Sequence, residues 1–204
     1  MMGSRFPLPV LAVSAAVFDG GDGTPGNPYQ ISTCVQLQGM NDASTSDFIL
    51  TQNIDCSDTV NWNSGAGFVP IGPLDPFYGN FDGRGYTISG LFINRPNEWN
   101  IGPFGYVYGA GEIKNVILVD VNITGKSPVG GLVGAIIDKA VINSAVSGTV
   151  NGQYMVGGLI GDASGTTITS DSYSTATVKT IGGLGYSIGG LAGRFGGALL
   201  TDSY

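Results

Sequence analysis

The sequence predicts an all-β chain wound as a right-handed parallel β-solenoid with an N-terminal cap. Three observations predict it. A segment without charge recurs: VGGLVG at 129–134, VGGLIG at 156–161 and IGGLAG at 188–193, with a looser copy, IGPFG, at 101–105. A second mark follows each copy: EIKNV at 112–116, AVINS at 140–144, TITSDSY at 167–173 and LLTDSY at 199–204. Between the marks lie period-2 runs rich in β-branched residues, such as VILVDVNIT at 116–124 and AVSGTV at 145–150, which read as strands.

The two marks advance together. Gly102, Gly131, Gly158 and Gly190 are separated by 29, 27 and 32 residues. Aligning the second mark through Ile113, Val141, Ile168 and Leu200 gives 28, 27 and 32. A unit near 28 residues, holding two or three short strands and no helix, cannot close a core alone. Stacked in parallel, each strand pairs with its copy about 4.8 Å along an axis. Parallel crossovers set the expected hand. Within each copy glycine is expected to supply positive φ at a corner, so that Val129 and Leu132 both point inward. The repeat core is then Gly102 and Phe104, Gly131 and Leu132, Gly158 and Leu159, Gly190 and Leu191. A phosphate-cradling loop would need a following helix, and none is expected.

Three zones follow in chain order. Residues 1–18, with one Arg and an apolar run ending near Ala15 and Ala16, read as a signal peptide or a frayed leader. Residues 19–98 are a cap and a first coil. Residues 99–204 are the repeats, with roughly four to six coils in all. The last copy stops within its second mark, which predicts an open coil edge, left by a fragment or covered by further repeats or another subunit. KTIGGLGYS at 179–187 lengthens the last interval, as a bulged loop or a slipped partial copy.

Composition narrows the function. Gly is the outlier, at 35 of 204 residues, and 42% of the chain is hydrophobic, which argues against disorder. The net charge is −7 with Lys and Arg scattered singly, so nucleic acid is a poor partner and membrane insertion is not expected. With no His, the Ser-His-Asp and Cys-His routes and His-ligated zinc are unavailable. No cofactor is expected. Cys34 and Cys56 are 22 apart, to be bridged in an exported protein or left as two buried thiols.

The remaining candidates each carry a structural alternative. Asp82, between two turn glycines, is an acid or calcium ligand or a turn cap. Asp19 and Asp22 form a sparse calcium loop or a linker. Nine aromatics lie between Phe77 and Tyr108, for sugar stacking or for filling a wider first coil. Trp99, Tyr106 and Tyr108 flank a turn and are the candidates for carbohydrate contact. Thr167, Thr169, Thr175 and Thr177 hint at a Thr ladder, but their equivalents in other copies are Val, Ser and Asn types. Asn122-Ile123-Thr124 is a glycosylation sequon or simply strand.

At the four GGLVG-type copies, over roughly 99–204, the sequence resembles the GLUG repeat family. GDGTPGNPYQISTCVQLQGMN at 21–41, FILTQNIDCSDT at 48–59 and FVPIGP…FYGNFDGRGYTISGLFIN at 68–94 resemble the lead-in to such arrays. The first copy departs, with Pro103 where the others have Leu. The resemblance implies secreted or surface-anchored proteins: adhesins, and non-catalytic regions of immunoglobulin-A-cleaving metallopeptidases. It brings no catalytic residue. The expected role is therefore a non-enzymatic extracellular or cell-surface adhesin or stalk module, binding a glycan or protein of a host or cell surface. The alternatives are a polysaccharide-binding or polysaccharide-cleaving β-helix, and a filament subunit associating end to end through the open C-terminal coil.

Overall fold

The computed structural model describes residues 17–182 and 186–204. The chain is a parallel β-solenoid of four complete coils, 81–108, 112–137, 140–164 and 168–196, above a cap. Each coil has four faces rather than two or three. Face 1 carries Phe81–Asp82, Glu112–Lys114, Ala140–Ile142 and Ile168–Ser170. Face 2 carries Thr87–Ser89 with Phe92–Asn94, then Ile117–Thr124, Ala145–Gly152, and Tyr173–Ser174 with Thr177–Thr180. Face 3 is Trp99–Ile101, Ser127–Gly130, Tyr154–Gly157 and Tyr186–Gly189. Face 4 is Phe104–Tyr108, Val133–Ile137, Ile160–Ser164 and Ala192–Gly196. The named strands all pair in parallel with their copies on adjacent coils. The first complete coil begins at Phe81, within the stretch assigned by sequence to the cap and first coil.

The second sequence mark is the corner between faces 1 and 2. Asn115, Asn143, Asp171 and Asp202 hold φ of 54°, 47°, 51° and 47°. Asn and Asp tolerate this left-handed conformation better than other residues with a Cβ. The next residue turns inward: Val116, Ser144 and Ser172 are buried. The Ser144 and Ser172 hydroxyls accept from the backbone N–H groups of Val116 and Ser144, the equivalent residues one coil below, at 3.2 and 3.0 Å. Each donates to a carbonyl two residues back, at 2.9 and 2.8 Å. A serine at this corner therefore leaves no orphaned hydroxyl.

Inward columns run through the stack. One contains Ile101, Val129, Val156 and Ile188, and another Phe104, Val133, Ile160 and Ala192. Leu132, Leu159 and Leu191 also stack, their backbones bonded in sequence from Leu132 N–H to Leu159 and from Leu159 N–H to Leu191. Val129 and Leu132 are both buried. Gly190 is exposed and Leu191 only half-buried, because they lie on the last complete coil. Gly102 is in register with Gly130, not Gly131, since IGPFG is one residue shorter than VGGLVG.

The corner glycines hold a different conformation from the one expected. None of Gly130, Gly131, Gly157 or Gly158 has positive φ. They are needed because backbones touch: a Cβ on Gly130 would lie 2.0 Å from the Val133 carbonyl oxygen. Left-handed φ falls instead on other positions, among them the Asn and Asp of the corner between faces 1 and 2 and glycines outside the repeat such as Gly111, Gly148 and Gly165.

The second mark also slips by one residue in its third copy. Val141 pairs with Thr169, not Ile168, so Thr169 is buried and Ile168 faces outward. The Thr169 hydroxyl has no hydrogen-bond partner among the described residues. An unpaired buried hydroxyl costs about 1–3 kcal/mol. Thr169→Val should therefore raise the unfolding free energy by about 1 kcal/mol, read from urea titration.

The cap closes the N-terminal end with side chains as well as strands. Tyr29–Ile31 and Phe48–Leu50 extend face 1 downward. The helix Cys34–Gly39 starts at Thr33 with a capping box to Gln36. Below face 4, Gln38 donates to the Val69 carbonyl at 2.9 Å and accepts from its N–H at 2.7 Å. Asn41 does the same for Pro70 O and Gly72 N, at 3.2 and 3.1 Å. Two amide side chains thus stand in for a missing strand and blunt the edge. A disulfide joins Cys34 to Cys56, tying the helix to the strand Ile54–Asp55 that extends face 2 downward. Phe18, the last residue of the expected leader, stacks on Tyr29 of the cap with ring centroids 4.5 Å apart. Residues 1–16 of the expected leader and 183–185 of the expected loop lie outside the described residues.

Candidate functional site

The outer faces carry the side chains available for binding, and the aromatic residues divide sharply. Phe77, Phe81 and Phe104 are fully buried and pack together, with Phe104 5.4 Å from Phe77 and 5.3 Å from Phe81. Tyr78, Trp99 and Tyr108 are exposed, and Tyr106 is half-buried. The three residues proposed for carbohydrate contact do not form one site. Tyr106 and Tyr108 lie on face 4, where Tyr108 meets Tyr78 edge-on at 6.1 Å. Burial raises the Tyr106 hydroxyl above the ordinary tyrosine range. Trp99 lies on face 3.

Trp99 belongs instead to a row that the sequence reading overlooked. The strand pairings align it with Ser127, Tyr154 and Tyr186 on successive coils. Each residue stands two before the inward Val or Ile, as WNI, SPV, YMV and YSI. In a regular strand, positions i and i+2 share a face. Here the residue between them is left-handed in three coils: Asn100, Met155 and Ser187 have φ of 57°, 46° and 59°. That twist turns Trp99, Tyr154 and Tyr186 outward while Ile101, Val156 and Ile188 stay inward. Pro128 cannot adopt positive φ, and Ser127 remains buried. The signal was an aromatic two residues before the repeat.

This row lies at the edge joining faces 2 and 3. Tyr154 and Tyr186 stack 6.1 Å apart with rings 6° from parallel. Trp99 is 55% exposed and Tyr186 68%. On the Ser127 coil the gap in the row is served by Lys126, whose Nζ sits 4.7 Å from the Trp99 ring centroid. Beside it on face 2 runs a polar column of Asn94, Thr124, Asn151 and Lys179. Asn151 Nδ2 donates to Thr124 Oγ1 at 3.2 Å. Of the Thr residues weighed for a ladder, Thr177 aligns with Thr149, Asn122 and Phe92, so no Thr row runs through the coils there, and Asn122 of the sequon is an exposed strand residue.

A second surface gathers carboxylates. A groove of about 420 Å³ on face 1 is lined by Asp47, Asn80, Asp82, Glu112 and Lys114, among others. Each carboxylate is already occupied. Asp47 accepts from the Asn80 backbone and side chain, both at 2.9 Å. Asp82 accepts from the Arg84 backbone and the Asn115 side chain, both at 2.8 Å, which is the turn-capping role. Glu112 pairs with Lys114 at 2.7 Å, a bond that raises the Lys114 ammonium above its usual range. Asp22 caps its own turn through Thr24, whose hydrogen bonds hold it below the ordinary carboxylate range, and Asp19 accepts from Gln36 at 2.7 Å. Among the described residues no three His, Cys, Asp or Glu side chains are grouped to hold a metal.

Lys139 lies behind this groove, fully buried. Its ammonium donates to the carbonyls of Tyr78, Gly79 and Ala110 at 2.9, 2.9 and 3.0 Å, clamping the cap to two coils. Burial pushes it down to about 8, opposed by Asp47. The unfolded chain keeps a value near 10.5. Between these values the unfolded state holds the extra proton, so the burial penalty is relieved and stability rises with pH. The stability difference between wild type and Lys139→Met should therefore shift in favour of wild type from pH 8 to pH 10, measured by urea unfolding at each pH.

No protein-family model matches the sequence. The chain is 35% identical over 157 residues to a segment of halomucin from Haloquadratum walsbyi, covering 72% of this chain and 2% of halomucin. It is 34% identical over 183 residues to a protein from Evansella cellulosilytica described as a Gly-rich membrane protein, covering 72% of this chain and 21% of that one. It is 25% identical over 163 residues to an immunoglobulin A1 protease from Streptococcus sanguinis, covering 79% of this chain and 8% of the protease. In structure it is similar to a Bacteroides ovatus crystal structure described as an immunoglobulin A1 protease, with a TM-score of 0.49 and 16% identity, over 92% of this chain and 77% of that one. The chain thus spans only a small part of the curated relatives it matches.

Proposed function

We propose that the chain is a non-enzymatic, extracellular or cell-surface module of GLUG-repeat type, an adhesin or stalk whose rigid solenoid presents side chains for binding. One observation carries this reading. Parallel pairing through four coils repeats outward positions from coil to coil, while the groove carboxylates are spent on a turn, a contact with the next coil and an ion pair. The disulfide and the similarity to a relative described as a membrane protein support an exported location. No helix among the described residues is long and apolar enough to cross a membrane. Similarity to 8% of a protease carries no proteolytic role to this chain, which has no His and whose two Cys are joined.

The test pairs a glycan array with an assay for released reducing ends on any polymer bound. Binding without cleavage fits the reading, and cleavage that is lost in Glu112→Gln and Asp82→Asn variants would replace it with the polysaccharide-cleaving alternative. A second reading, self-association, is favoured by the exposed Ile188, Leu199 and Leu200 on the last coils. Association through these residues would be end to end. Light scattering across concentrations distinguishes a dimer from a filament.

A further inference from the structure

We infer that the edge between faces 2 and 3 binds an anionic linear polysaccharide laid along the solenoid axis, an inference that rests on the binding-module reading above. Three independent features meet on this edge. The first is the row Trp99, Tyr154 and Tyr186, turned outward by left-handed residues where a regular strand would turn these rings in. Amphipathic rings of this kind suit the apolar faces and hydroxyls of sugars. The second is the adjoining column of Asn94, Thr124, Asn151 and Lys179, an array of donors and acceptors repeating about every 4.8 Å. That repeat is comparable to the advance of one sugar residue in an extended chain, so successive coils can meet successive residues.

The third feature is charge. The chain carries −7 overall, yet this edge gathers Arg95, Lys126 and Lys179, three of its eight Lys and Arg. Glu98, held by Arg95 at 3.0 Å, is the one carboxylate in the corner segments joining face 2 to face 3, and Asp120 lies further back in the face 2 strand, four residues before Thr124. Neither Lys126 nor Lys179 has a carboxylate partner among the described residues. Trp99 and Tyr154 are two coils apart, about 9.6 Å at strand spacing, with only buried Ser127 between them. Lys126 occupies that interval. A sugar carboxylate entering there would meet the ammonium between two rings, and the ammonium would exchange its contact with the Trp99 ring for an ion pair.

The test is titration calorimetry of the whole chain with polygalacturonate, with dextran as the uncharged polymer and poly-glutamate as the non-sugar polyanion. Polygalacturonate should bind, with affinity falling as salt rises, and dextran and poly-glutamate should bind at least about tenfold more weakly. Trp99→Ala, Tyr154→Ala/Tyr186→Ala and Lys126→Gln/Lys179→Gln should each weaken binding about tenfold with unchanged circular dichroism. Arg84→Gln, a cation on another corner, should not. Equal binding of poly-glutamate, or full affinity in the Trp99 and double-Lys variants, overturns the inference. If polygalacturonate fails to bind while the array finds another ligand, this inference falls and the binding-module reading stands.

Discussion

Replacing Gly158 with alanine should lower the unfolding free energy by about 4 kcal/mol or prevent folding, while the same change at Gly190 should alter it by less than about 0.5 kcal/mol. Both glycines occupy one register position, and the difference lies in what is stacked on them. A Cβ on Gly158 would lie 2.2 Å from the Gly190 carbonyl oxygen and 2.2 Å from the Ser174 hydroxyl. Neither backbone can retreat, because Gly158 N–H is bonded to the Gly190 carbonyl and Leu159 N–H to that of Leu191. A Cβ on Gly190 meets nothing within 4 Å. Gly131, whose Cβ would lie 2.2 Å from the Gly158 carbonyl oxygen, should behave as Gly158 does. Gly158→Asn separates the physical causes. Asn would rescue a position that needs left-handed φ, but it cannot rescue one that lacks room. Thermal and urea unfolding followed by circular dichroism would read all four variants. Wild-type stability in Gly158→Ala, or equal loss in Gly190→Ala, would remove close backbone approach as the reason for the repeat.

That distinction marks where the sequence stopped being legible. Recurrence of VGGLVG made the stacking readable, because identical segments in parallel coils must occupy identical surroundings. The conformation inside the segment was not readable, because a glycine needed for space and one needed for φ look alike in a sequence. Asn115, Asn143, Asp171 and Asp202 carried the left-handed signal openly, at intervals of 28, 28 and 31, yet hydrophobic alignment drew attention to Ile168. Apolar character chose the wrong neighbour there, since corner geometry places Thr169 inward. The aromatic row was harder still. Trp99, Tyr154 and Tyr186 share a parity with core residues, and only the left-handed residue between them shows that they face solvent. The cap was legible as a non-repeating lead-in, but the use of Gln38 and Asn41 as strand substitutes depends on contacts 31 residues away.

Exchanging core residues between coils should be costly in both directions. Phe104→Ala should lose about 4 kcal/mol, and Phe104→Val and Val133→Phe should each destabilise although they introduce residues already found in the same column. The reason is a taper. Along face 1 the inward column runs Phe48, Phe81, Ile113, Val141 and Thr169, and along face 4 it runs Phe104, Val133, Ile160 and Ala192. Near the cap the two columns meet through rings, with Phe104 within 5.5 Å centroid distance of both Phe77 and Phe81, at 5.4 and 5.3 Å. Valine at 104 would leave those rings facing a void, and phenylalanine at 133 would enter a layer of the core where the face 1 column holds Ile113 and Val141 in place of rings. A uniform core would instead make the exchanged pair, Phe104→Val with Val133→Phe, nearly neutral, since total volume is conserved. The double variant therefore decides the matter. Unfolding at or near the wild-type denaturant midpoint would show that the coils are interchangeable, and a loss close to the sum of the single changes would show that each coil is cut to its own width.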